Sequence, residues 1–187
     1  MEAKRLHTPW SDATVEALNA GDLVLITGVI YGARDAAHKR LVDTLEKGEP
    51  LPVDLRGQIV YYVGPTPAKP GQAIGSAGPT TSIRMDAYAP VLLAHGLKGM
   101  IGKGYRTQPV LEAIKRHKAV YMAATGGAGV LLARTITKAD VVAYGELGPE
   151  AIYRFEVKEF PAIVINDVHG RDLYMEGKAA YRQTVAS

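Results

Sequence analysis

The densest chemistry in the chain lies in nine residues, Gly78-Pro79-Thr80-Thr81-Ser82-Ile83-Arg84-Met85-Asp86. Successive hydroxyls follow a Gly-Pro break, and a guanidinium and a carboxylate follow them. The run reads on into a helix from Met85 to Leu93, in which Pro90 should introduce a kink or an early stop. A helix N-terminus presents unpaired N–H groups and the positive end of the dipole. Hydroxyl donors and an arginine fork added there could cradle a carboxylate or a phosphate. An ordinary helix entry, with Thr81 or Ser82 as N-cap and Asp86 in the first turn, accounts for the same residues.

Two more cations sit at comparable places. Arg34 follows the apolar run Leu23 to Thr27, whose exit Gly28 and Gly32 bracket. It opens a pattern in which Ala37, Leu41 and Leu45 recur at helical spacing, with Gly48 as the stop. An arginine at a helix start opposes the dipole by up to about 1 kcal/mol. An anionic ligand would offset that cost, and so would an ion pair with Asp35 or Asp43. His38 shares the Arg34 face one turn later. Lys103 stands between Gly102 and Gly104 at the end of a short strand, the edge where α/β proteins place ligands. Brought together, Arg34, Arg84 and Lys103 would suit a dicarboxylate: one fork per carboxylate and a point charge for the remainder. Thr80, Thr81 and Ser82 would add hydroxyls to the same place.

Other patterns narrow the field. Gly102-Lys103-Gly104 lacks the spacing of a nucleotide-binding P-loop, and Thr125-Gly126-Gly127-Ala128-Gly129 lacks that of a dinucleotide fingerprint. Close packing or a backbone hydrogen bond is the expected use of those later glycines. No Ser-His-Asp order or HExxH motif is present, and His7, His38, His95, His117 and His169 have no metal-ligand spacing. His95 and His117, near helix ends, are expected to be structural.

The elements that must position these residues alternate through three quarters of the chain. Helices are expected over 11–20, 33–45, 85–93 and 109–117, with a further helix entered at the later glycines and running through Ala133. Strands are expected over 23–27, 59–63, 98–101 and 120–124, followed by 139–144, 152–157 and 160–167. A turn at 168–171 should return Asp172 to Tyr174 as a hairpin. This mixture predicts an α/β fold, layered and with mixed sheets. The 187 residues are enough for one domain, with residues 1–10 as an N-terminal extension. A net charge of +3, spread along the chain, argues against nucleic acid. No apolar run approaches the roughly 18 residues of a membrane span. With no signal-peptide pattern at the N-terminus, the expected location is cytoplasmic. The absence of cysteine excludes disulfides and thiolate clusters built from this chain alone.

In order, Gly28…Ala33-Arg34-Asp35-Ala36-Ala37-His38, Gly78-Pro79-Thr80-Thr81-Ser82…Arg84-Met85-Asp86 and Gly102-Lys103-Gly104 resemble the beta subunit of class I iron–sulfur fumarate hydratase. The similar L-tartrate dehydratase beta subunit shares these motifs. Phe160-Pro161-Ala162 and the Asn166-Asp167…Gly170 turn extend the resemblance over nearly all of the chain from about Ser11. It implies a swivelling β/β/α domain that closes on a larger alpha subunit, in an α2β2 assembly. That partner would carry the [4Fe–4S] cluster, whose open iron acts as Lewis acid on the substrate hydroxyl. By matching motif positions, Arg34, Arg84 and Lys103 would hold substrate carboxylates, with Ser82 beside them. Thr80, or else Thr81, would move the C3 proton with help from a partner carboxylate. The implied reaction is reversible hydration of fumarate to L-malate, with tartrate dehydration as the alternative. A module that binds a dicarboxylate or phosphate without catalysis is the reading from another class.

Overall fold

The computed structural model describes residues 2–125 and 127–186; Gly126, one of the glycines singled out above, lies outside the described residues. In chain order the elements are β1 (Lys4–His7), α1 (Asp12–Glu16), β2 (Leu23–Gly32), α2 (Asp35–Glu46) and β3 (Ile59–Tyr61). Then come α3 (Ala89–Ala94), β4 (Gly99–Gly102), α4 (Gln108–His117), β5 (Val120–Ala123) and α5 (Gly129–Ala133). β6 (Ile136–Ala143), β7 (Ile152–Asn166) and α6 (Leu173–Ala186) complete the chain.

The strands form one sheet in the order β1-β2-β3-β4-β5-β7-β6, and an additional β2–β7 pairing closes five of them into a ring. β2 through β5 run parallel, whereas β7 is antiparallel to both β2 and β5. Closure satisfies the backbone groups that an open sheet would leave at its edges. It is possible because β7 is 15 residues long: Tyr153 to Ile163 pair with β2, and Ile163 to Asn166 turn to β5.

Side-chain alternation divides the core in two. Ile26, Ile30, Tyr61, Ile101, Met122, Phe155 and Phe160 fill the ring. Val60, Tyr62, Met100, Tyr121 and Ile165 face outward against Leu41 of α2, Leu92 of α3 and Val110 of α4. The result is a layered β/β/α arrangement with mixed strand directions. Because β2 to β5 are parallel, the segments that follow them emerge on one edge, as the sequence required for convergence.

Several expectations change. Residues 172–174 do not return as a hairpin: a single Asn166–Asp172 bridge forms, and Asp172 Oδ1 accepts from Tyr174 N and Met175 N to start α6. The strands expected at 152–157 and 160–167 are one strand, bent where Glu159 takes a left-handed φ of 52°. β2 continues past Thr27, with Gly28 at a register shift inside the strand and a φ of 118° that glycine permits. The 11–20 helix is shorter, although Ser11 does cap it by accepting from Thr14 N. Within the segment expected as an N-terminal extension, Lys4–His7 pair with β2 and Trp10 is buried.

Candidate functional site

The Gly78–Asp86 stretch crosses the C-terminal ends of β3 and β4 as a strap. Thr80 N donates to Tyr62 O at 2.7 Å, and Ser82 N donates to Lys103 O at 2.9 Å. Thr81 and Lys103 form an isolated parallel bridge. Ser82–Met85 is a 3-10 turn and α3 starts only at Ala89, with Pro90 in its first turn. Proline is tolerated there because its missing N–H would have been unpaired. Thr81 occupies the N-cap position of the 3-10 turn, but its side chain makes no capping bond. Gly102 is required by close approach: a Cβ there would strike Ser82 Oγ and come within 2.9 Å of the Tyr62 ring.

The structure brings Arg34 and Arg84 together through Asp35. Arg34 Nε donates to Asp35 Oδ2 at 3.0 Å, and Arg84 Nε donates to Asp35 Oδ1 at 2.7 Å. Burial pushes the Asp35 pKa up, but the Arg34 hydrogen bond and both guanidinium charges outweigh it. The carboxyl stays below its usual range and charged at neutral pH. Arg34 is the N-cap residue of α2 and opposes its dipole. Protein carboxylates offset that opposition: besides Asp35, Glu150 Oε1 lies 3.3 Å from Arg34 Nη2, and Glu150 Oε2 accepts from Ala36 N. Gly64 gives the guanidinium its seat, since a Cβ there would lie 2.9 Å from Arg34 Nη1. The ion pair foreseen with Asp35 therefore exists, and Arg34 is more engaged than one free fork per carboxylate would require.

Arg84 and Lys103 are the more available cations. The Arg84 side chain is 50% exposed and uses only Nε on Asp35, leaving its Nη pair unpartnered among the described residues. Lys103 is exposed and makes no ion pair among the described residues. Thr80 is half-buried and Thr81 exposed, and neither hydroxyl has a partner among the described residues. Ser82 differs from its expected place. It is fully buried, and its Oγ donates to Tyr121 Oη at 2.9 Å, which donates in turn to Gly104 O at 2.8 Å. Burial raises the Tyr121 pKa, so the phenol keeps the proton it donates.

Sequence reasoning missed what lies underneath. Arg106 is buried, donates from Nε to Asp86 Oδ1 at 2.7 Å, and lies over the rings of Tyr62 and Tyr121. Asp86 Oδ2 also accepts from Thr107 N at 2.6 Å. The only local signal was an arginine three residues after Lys103. Behind Arg34, His38 is fully buried, its Nδ1 donating to Arg34 O at 3.0 Å and its ring edge-on to Tyr62.

Burial lowers the His38 pKa to about 4. Because the folded value lies below the unfolded one near 6.5, stability is complete above pH 6.5 and is lost as pH falls towards 4. The expected loss attributable to His38 is about 2–3 kcal/mol by pH 4.5. Urea unfolding of wild type and His38→Gln between pH 7.5 and 4.5 checks this. The curves should converge as pH falls; parallel curves would remove His38 as the cause.

Two cavities are lined by none of Arg34, Thr80, Thr81, Arg84 or Lys103. A notch of about 430 Å³ is lined by Lys69, Ile74, Val130 and Arg134, and a smaller one by Lys115, Asn166 and Arg171. Arg84 and Lys103 are exposed and Arg34 is half-buried, and their chain neighbours Ile83 and Tyr105 are exposed as well. Among the described residues no group of three or more His, Cys, Asp or Glu side chains comes together as a metal-ligand set. With no cysteine in the chain either, its own residues do not fit an iron–sulfur cluster. No helix among the described residues is long and apolar enough to cross a membrane.

Comparison with known proteins matches residues 2–177 to the family described as "Fumarase C-terminus". A putative class I fumarate hydratase of Geobacillus stearothermophilus is 40% identical over 174 residues, covering 90% of this chain and 33% of that protein. The anaerobic class I fumarate hydratase of Escherichia coli K12 is 40% identical over 153 residues, covering 81% of this chain and 28% of that protein. A putative L(+)-tartrate dehydratase subunit beta of Methanocaldococcus jannaschii is 39% identical over 168 residues, covering 87% of this chain and 86% of that protein. The chain thus spans about a third or less of the fumarate hydratases it matches, and most of the tartrate dehydratase subunit.

Proposed function

Because the chain belongs to the fumarase C-terminal family, we propose that it is the beta-type half of a fumarate hydratase, catalysing reversible hydration of fumarate to L-malate with a cluster-bearing alpha partner. The observation that carries this reading is the convergence, on one sheet edge, of the Asp35-linked arginines with the strap that joins Thr80 and Thr81 to Lys103.

The charges divide the labour. Asp35 and Glu150 formally balance the charges of Arg34 and Arg84, so the net positive charge left is that of Lys103, suited to one carboxylate. The Arg84 Nη pair presents an end-on fork to that carboxylate, and Lys103 adds a point charge. Arg34 supports Arg84 through the shared Asp35. The second carboxylate and the hydroxyl fall to the partner, which would also supply the [4Fe–4S] cluster, in an α2β2 assembly. Thr80, its backbone pinned to Tyr62 O, would offer its unpartnered hydroxyl for proton transfer at C3. A threonine hydroxyl is a weak base at neutral pH, so a carboxylate of the partner activates it. Ser82 acts from below by holding the strap to Tyr121.

Thr80→Val keeps the volume and removes the hydroxyl. The expected result is a fall in kcat of about 10²–10⁴-fold with KM within a few-fold of wild type, and a much smaller effect of Thr81→Val. Steady-state kinetics of the anaerobically assembled protein check both, and the opposite ranking would transfer the role to Thr81.

The coverage of the subunit-type relative favours a second reading, an L-tartrate dehydratase beta subunit giving oxaloacetate. Anaerobic co-expression with the cysteine-bearing partner, followed by assay on fumarate and on L-tartrate, separates the two. An assembly with an intact cluster that turns over tartrate but not fumarate would overturn the first reading. Turnover of neither, with retained dicarboxylate binding, would leave a binding module.

A further inference from the structure

Directly beneath the proposed site, the strap bearing Arg84 and the loop bearing Lys103 are joined through the helix-facing core. Asp86, two residues after Arg84, pairs with Arg106, three residues after Lys103, at 2.7 Å with side chains 6% and 0% exposed. The same carboxylate takes Thr107 N on its other oxygen. Arg106 Nη1 reaches Met100 Sδ and Nη2 reaches Tyr62 Oη, both at 3.4 Å, and its carbon centre lies 4.8 Å from the Tyr121 ring centroid. Tyr121 in turn links Ser82 on the strap to Gly104 beside Lys103.

A buried pair is a poor way to gain stability, because desolvating two charges consumes most of their attraction. Its geometry, however, is stiff: the carboxylate is held by Arg106 on one oxygen and a backbone N–H on the other. We propose that Asp86 and Arg106 are positioning residues that fix the separation between Arg84 and Lys103, and through it the grip on the one carboxylate those two cations share. They touch no substrate. The inference rests on the proposed function, because it requires Arg84 and Lys103 to receive the ligand.

The test uses the anaerobically assembled protein carrying Arg106→Lys, which keeps the buried charge and loses the planar fork. Asp86→Asn, which keeps the volume and the acceptor for Thr107 N, is the second variant if the first does not assemble. Phe160→Leu, in the core inside the ring, serves as a control of similar destabilisation. The expected result is a KM for fumarate raised tenfold or more with kcat within threefold. The inhibition constant of succinate, which offers the same carboxylate without turnover, should rise by a similar factor. The control should leave KM and the succinate inhibition constant as in wild type. A KM and succinate inhibition constant unchanged in Arg106→Lys, or moved equally by Phe160→Leu, would overturn the proposal while leaving the proposed function standing. A wild-type assembly with an intact cluster but no turnover would overturn the proposed function, and this inference with it.

Discussion

Arg84→Ala is expected to lower kcat/KM for the dicarboxylate by about 10³-fold or more while the protein remains folded. Such a loss corresponds to about 4 kcal/mol of transition-state binding, in the range of a charge-assisted fork removed from a water-excluded site. The structural cost is small because the Arg84–Asp35 pair is half exposed, where pairs contribute roughly 0–1 kcal/mol. Arg34 and Glu150 remain to hold Asp35 and the start of α2 in place. Anaerobic kinetics and thermal unfolding check the two halves together. A variant with near-normal turnover would remove Arg84 from the site, whereas an unfolded one would make it a structural residue.

Asp86→Ala should do the reverse, acting first on stability. It leaves the Arg106 guanidinium buried without its counter-charge and Thr107 N without its acceptor. Breaking a buried pair from one side costs about 3–5 kcal/mol, a large share of the stability of a typical domain. Asp86→Leu combined with Arg106→Met should recover much of this, because neither charge then needs solvation. Denaturant unfolding of the three proteins measures the comparison. A single variant within 1 kcal/mol of wild type would show that Arg106 finds another partner or reaches water.

How much of this was legible beforehand follows from the range of each interaction. The strap, Arg34 and Lys103 could be found because glycine and proline punctuation marks β–α junctions locally, and parallel strands bring such junctions to one edge. The seating of Arg34 was half legible: Asp35 is its neighbour in sequence, whereas Glu150 arrives across 116 positions of chain and leaves no local trace. Ser82 was misplaced because a serine near a helix entry looks alike whether it faces ligand or core. Only the proximity of Tyr121, across the sheet, decides it. Ring closure was illegible for a similar reason, since Glu159 bends β7 at a non-glycine residue that gives no break signal. The C-terminal helix was missed because Asp172, read as part of a returning strand, is instead the acceptor that starts α6.

The central claim is that a dicarboxylate is received at the sheet edge shared by Arg84, Lys103 and Thr80. Its most direct test is a crystal structure of the assembled protein with fumarate or L-malate bound, grown without oxygen. The account predicts one carboxylate on the terminal nitrogens of Arg84, with Lys103 Nζ within ion-pair distance and the Thr80 hydroxyl beside the central carbons. A ligand bound instead in the notch lined by Lys69 and Arg134, with Arg84 and Lys103 still facing solvent, would contradict it.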